Sequence, residues 1–226
     1  MARQIAVGMI AGGRVDAAGA LVDLMGLPIL PALVAAGAPV PALRRAIETA
    51  LLERYRELPA FLAANGGRAA FANWCRQAEF TLQAELPETL DIYRGTMGIS
   101  PQIAATGLHW SLNFDDAARY AVRFADADLT GCVVLHARVP RDSIACLVST
   151  SAHSELVPVE APTSFEVITD YQRIGDAAVR RHHQLAALVA AGWVETGSAG
   201  VAEAAARATR ARMAAAGVPR GTAIVA

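Results

Sequence analysis

The chain holds only three cysteines, Cys75, Cys132 and Cys146, and no two of them stand in a CxxC spacing. A set this sparse and odd excludes a disulfide framework and a thiolate metal site, and leaves core thiols as the reading. An excess of charge of either sign is also lacking, with 20 Lys and Arg against 21 Asp and Glu and a formal net charge of −1. Without a global field, nothing points to nucleic acid or an anionic membrane surface as a partner. There is no P-loop and no GxGxxG fingerprint, and Ala11-Gly12-Gly13-Arg14 is too short to replace either, so any dinucleotide site is of a non-Rossmann kind. HExxH is missing too. His182 and His183 are adjacent on a helix and point about 100° apart, so they do not converge on one ion. Both are expected at the surface, and no metal is expected.

Clean apolar runs are short. In MARQIAVGMIAGGRV, Arg14 closes the run before a signal-peptide core has formed. The stretch from Ala17 to Val40 is interrupted by Asp23, Pro28, Pro31 and Pro39 within the length that a membrane helix needs nearly clean. It reads as a buried or partner-binding helix pair. With no export signal and no span, the expected location is cytoplasmic.

What is present is a globular composition: 226 residues, 54% hydrophobic and 18% charged, enough to bury a core. Ala17 to Met25 and Ala32 to Ala36 read as short helices broken by LPILP and GAPVP. From Ala42 to Leu58, the residues Leu43, Ile47, Leu51, Tyr55 and Leu58 fall on one face and predict a helix. A second helix is predicted from Arg68 to about Ala84, burying Phe71, Trp74, Ala78 and Leu82. At Leu90 the pattern changes to short apolar runs, TLDIYRG, GLHWSLN, CVVLHARV, SIACLV, ELVPV and FEVIT, which read as strands. Asp115 to Ala125 reads as a helix between them, capped by Asn113 or Asp115, with Ala118, Val122 and Ala125 inward. From Tyr171 the chain is helical again to about Ala191, and after a Gly197-to-Gly200 turn from Val201 to Ala216. The fold class is α+β, with a helical region over 1–87, a β-rich core over 88–170 and a second helical region over 171–226.

Three signals in the core form one chemical set. Arg94, in DIYRG, carries a forked, permanently charged guanidinium suited to a phosphate, and Gly95 after it leaves room for a close ligand. Ser111, in GLHWSLN, can orient a neighbouring group. Glu155, in SAHSELVPVE, can hold a hydroxyl or stabilise developing positive charge. Glu160 ends the same run and is the second candidate, because a one-residue change of register flips every side chain. Arg94 has a structural alternative in a pair with Asp91 or Glu88. Isolated His109 and His136 read as partly buried, His109 beside Trp110 also as lining a pocket.

The order YRG, then G-x-x-W-S with A-x-x-F-A downstream, then an apolar β segment and a glutamate-bearing strand, resembles bacterial and phage proteins of the ADP-ribosyltransferase-like superfamily. The resemblance covers roughly Leu90 to Thr169 and belongs to the Arg, Ser, Glu class, which binds NAD in the cleft of a split β-sheet. It implies that Arg94 takes the phosphate and ribose end of NAD, that Ser111 supports the nicotinamide ribose and the glutamate, that Trp110 packs beside the serine, and that Glu155 is catalytic. Tyr120 and Phe124, four apart on the helix, read first as core and second as a ring stacked on nicotinamide. The chain departs from the pattern in places. The Arg94-to-Ser111 spacing is shorter than in the better-known toxins. The literal STS at Ser149 to Ser151 is too close to Glu155 to be the family's serine motif. His153 stands where arginine-modifying members carry an acidic residue, which argues against arginine as acceptor.

The function implied is that of a toxin-like mono-ADP-ribosyltransferase consuming NAD as substrate, with an unknown macromolecular acceptor. Two alternatives stand beside it: an NAD glycohydrolase, and a non-enzymatic interaction or virion-associated protein that keeps the fold. The Ala-rich helices are candidates for self-association.

Overall fold

The computed structural model describes residues 2–14, 17–80, 86–123, 125, 129, 131–149 and 154–191. Leu82, Phe124, Thr150, Ser151, His153 and the expected helix from Val201 to Ala216, with the turn before it, lie outside them. The protein is of mixed helix and sheet, with small antiparallel sheets.

Helices come first: α1 (Ala2–Ala11), α2 (Ala17–Met25), α3 (Ile29–Ala35), α4 (Val40–Leu52), α5 (Leu58–Ala64) and α6 (Gly67–Gln77). Pro41 sits in the first turn of α4, where its missing N–H costs nothing. Helix α4 stops at Leu52, six residues before the expected end at Leu58. Pro59 occupies the first turn of α5, where its missing N–H costs nothing, and the helix restarts at Leu58. The apolar period ran through the break because Leu58 is itself fully buried. Gly19 lets α2 approach α4 closely, as a Cβ there would meet Thr49 Oγ1 at 2.8 Å. Trp74 packs edge-on to Phe71 with ring centroids 6.3 Å apart. Helix α1 fills the short apolar run that Arg14 closes.

The sheet part follows, with β1 (Thr89–Met97), α7 (Pro101–Ala105), α8 (Phe114–Val122), β2 (Cys132–Pro140), β3 (Ile144–Ser149), β4 (Ser154–Pro158), β5 (Glu166–Ile168) and α9 (Tyr171–Ala190). β1, β2 and β5 form one antiparallel sheet in that order, with Arg94 opposite Leu135 and Leu135 opposite Val167. β3 and β4 pair in a second, two-stranded sheet. The expected strand over GLHWSLN reduces to two residues: Ser111 bridges Tyr93, and Trp110 bridges Leu156. Only a short stretch separates α7 from α8, and the chain must already bend after Ser111 to start α8.

By contact, the chain divides into two compact units, the first of Met1–Leu86, Asp142–Val148 and Val157–Glu160, the second of Pro87–Arg141, Ser149–Leu156 and Ala161–Ala226. Helix α9, expected to open a separate helical region, belongs to the second unit and packs on α8. There Ala117, Ala118, Ala121, Val122, Val134, Ile168, Ile174 and Ala178 share one core. Two ion pairs join the helices: Arg180 grips Asp115 through Nε and Nη2, and Arg181 grips Asp116 in the same way, the latter pair almost buried. His182, expected at the surface, is 7% exposed. It lies four residues after Ala178 and three before Leu185, on the buried stripe of α9, whereas His183 is turned out.

Candidate active site

β1 is the base of the site, and Gly95 decides which way it faces. A Cβ at Gly95 would stand 1.8 Å from Ala117 O and 2.6 Å from Ala121 N, so the backbone of α8 lies directly on this residue. The clearance expected for a ligand is filled by a helix. Because side chains alternate along a strand, Tyr93 shares the α8 side of β1 and Arg94 points away from it.

Two backbone bridges then carry the site from β1 to β4. Tyr93 and Ser111 exchange both N–H···O bonds at 2.8 Å, and Trp110 and Leu156 exchange both at 2.9 Å. In antiparallel pairing the step from Trp110–Leu156 brings Ser111 alongside Glu155. Ser111 and Glu155 thus fall on one face, together with His109, two residues before the serine. Trp110 turns to the other side, 2% exposed, its Nε1 donating to Gly107 O at 3.2 Å.

Glu155 is 9% exposed, and each of its oxygens meets a side chain. His109 Nδ1 lies 2.8 Å from Oε2, and the Tyr120 hydroxyl donates to Oε1 at 3.0 Å. Burial, reinforced by the negative charge of Glu155, pushes the Tyr120 hydroxyl well above its ordinary pKa and keeps it a donor. Arg119 lies beside the same tyrosine, 5.8 Å from its ring centre, and burial lowers the guanidinium's pKa. Tyr120 was expected as core or as a stacking ring; its hydroxyl is a carboxylate anchor.

Arg94 reaches this group from behind. Its Nη1 donates to the carbonyl oxygen of His109, and its guanidinium lies so close to Gly107 that a Cβ there would come within 2.1 Å of Cζ and Nη2. Asp91, weighed as a partner for Arg94, is turned to His136 Nε2 at 2.7 Å, and His136 stacks on the Tyr93 ring with centroids 4.9 Å apart. Ser111 Oγ accepts the Asn113 N–H at 3.0 Å, and Asn113 Oδ1 accepts the Asp115 N–H at 2.8 Å. Together they cap the entry to α8. Glu160 is exposed, in contrast to Glu155.

The structure therefore brings Ser111, Glu155, Tyr120 and the main chain behind Arg94 together, and makes His109, expected as partly buried or as lining a pocket, a direct contact of the carboxylate. Among the described residues, no group of three or more His, Cys, Asp or Glu side chains is arranged to hold a metal ion. No helix among them is long and apolar enough to cross a membrane. Compared with family models, with curated proteins and with solved structures, the chain matches none.

Proposed function

We propose that the second unit is an NAD-consuming mono-ADP-ribosyltransferase built on a split β-sheet, with Glu155 as its catalytic carboxylate and a macromolecule as acceptor. The observation that carries this reading is the pair of bridges, Tyr93–Ser111 and Trp110–Leu156, which joins the arginine-bearing strand, the serine segment and the glutamate-bearing strand side by side. These are the three segments that the resemblance gives to one NAD site.

The chemistry follows from the carboxylate. Breaking the bond between nicotinamide and ribose leaves an oxocarbenium-like ribosyl cation, as in other glycosyl transfers. A fixed negative charge facing that cation, and accepting a ribose hydroxyl, lowers the barrier without reorganising as the charge develops. Nicotinamide departs as a neutral molecule, so cleavage needs no second carboxylate as acid. Arg94 is assigned to the phosphate and ribose end of NAD.

A second reading has its own support. Glu155 is largely buried and both its oxygens already meet side chains, as in a carboxylate retained for structure in a non-enzymatic protein. Incubating the full chain with adenylate-labelled NAD and host lysate separates the readings. Label on a macromolecule supports the transferase; free ADP-ribose with no labelled acceptor supports a glycohydrolase; intact NAD together with no NAD binding by calorimetry supports the non-enzymatic protein.

A further inference from the structure

We propose that His109 is the positioning residue of the Glu155 carboxylate, taking the part that the resemblance gives to Ser111, with Arg94 acting behind it through the His109 carbonyl. The inference rests on the enzymatic reading above and deepens it.

A carboxylate is aimed when each oxygen has its own fixed donor. Here Oε2 has His109 Nδ1 at 2.8 Å and Oε1 has the Tyr120 hydroxyl at 3.0 Å. An ionised carboxylate only accepts hydrogen bonds, so facing it the imidazole carries its proton on Nδ1. The two donors come from different elements, one from the segment between α7 and α8 and one from α8 itself, so the group cannot swing without breaking a bond to one of them. The Ser111 oxygen has another task, accepting Asn113 N–H at 3.0 Å at the entry to α8.

His109 is itself held by its main chain. Arg94 Nη1 binds its carbonyl, the guanidinium is packed against Gly107, and Trp110, next along, is locked by two backbone bonds to Leu156. The chain of contacts runs from Arg94 to the His109 backbone, and from its imidazole to Glu155. Positioning of this kind acts on the chemical step, because a misplacement of about 1 Å can cost roughly a hundredfold in rate.

The test is the steady-state kinetics of nicotinamide release by the full chain in wild type, His109→Ala, His109→Asn and Ser111→Ala, with the histidine ring followed by NMR in 15N-histidine-labelled protein. His109→Ala is expected to lower kcat roughly tenfold to a hundredfold while KM for NAD stays nearly unchanged. His109→Asn, whose amide N–H falls near the place of Nδ1–H, is expected to restore most of the loss, and Ser111→Ala to cost less than His109→Ala. In the spectrum, the His109 Nδ1–H resonance is expected at low field and to move upfield in Glu155→Gln. Wild-type kcat in His109→Ala, or a larger loss in Ser111→Ala, overturns the inference while leaving the enzymatic reading standing. A wild type that releases no nicotinamide overturns that reading and the catalytic half of the inference with it. In that event, or if a variant fails to fold, an Nδ1–H resonance indifferent to Glu155→Gln overturns the positioning contact as well.

Discussion

At Glu155 a negative charge is buried with its hydrogen bonds supplied by His109 and Tyr120, and the energetics of the site follow from that. A buried polar group left without its partner costs about 1–3 kcal/mol, so Tyr120→Phe, which deletes one donor and almost no volume, is expected to destabilise the second unit by that amount. Denaturant melts would check it, and an unchanged midpoint would contradict the contact. Gly107→Ala acts on the other end of the same chain of contacts. Its Cβ would stand 2.1 Å from the Arg94 guanidinium, so Arg94 must leave the His109 carbonyl. The expected result is a fall in kcat together with a rise in KM for NAD, since the displaced Arg94 is also assigned to the phosphate and ribose end of NAD. The types of these residues were legible in the sequence, and their directions were not. Arg94, Ser111 and Glu155 were named from motif order, but Gly95 was assigned to a ligand and Tyr120 to a stacking surface. A glycine announces close approach without saying what approaches, and which face of a strand is covered is decided by elements far away in sequence.

At the scale of elements, α8 is the part on which the site depends, pressed on β1 at Gly95 and tied to α9 by Arg180–Asp115 and Arg181–Asp116. Gly95→Ala would drive a methyl group into the α8 backbone, which cannot turn aside like a side chain, and is expected to cost on the order of 3 kcal/mol. Asp116→Ala removes the partner of a nearly buried guanidinium and is expected to cost about 3–5 kcal/mol. Thermal melts of both variants, with Asp115→Ala as an exposed-pair control expected to cost under about 1 kcal/mol, would check the ranking. Elements with local signals were readable: α2 between its proline-rich neighbours, β1 and β2 from their apolar runs, α8 from the Asn113 cap. The start of α7 is equally local, with Ser100 Oγ accepting the Ile103 N–H and Pro101 in the first turn. The strand expected at GLHWSLN failed for a tertiary reason, since its pairing is limited to Trp110 and Ser111 between two other strands, and side-chain caps at Ser111 and Asn113 bend the chain into α8.

For the whole molecule, composition pointed to a buried core and the change of apolar pattern at Leu90 to an α+β chain, while the grouping of its parts was hidden. Residues of the β3–β4 hairpin are divided between the units and α9 joins the sheet part, both consequences of contacts distant in sequence. One global property follows from α9. Burial, with Arg119 and His183 adding positive charge nearby, holds the His182 pKa below its ordinary 6.5. The unfolded chain therefore takes up this proton first as pH falls. The contribution of His182 to stability is complete above about pH 6.5 and is lost as pH drops through the lower folded-state value. Urea midpoints at pH 7.5 and 5.5 are expected to fall less in His182→Gln than in the wild type; an equal fall would contradict the assignment.

The central claim is that Glu155 faces a ribosyl cation formed from NAD. Nicotinamide release from NAD by the purified full chain, with and without host lysate, compared between wild type and Glu155→Gln, tests it most directly. The account predicts release by the wild type and a loss of roughly a hundredfold or more in a variant that keeps its circular dichroism spectrum. Release at the wild-type rate by Glu155→Gln, or none by the wild type in either condition, would contradict it.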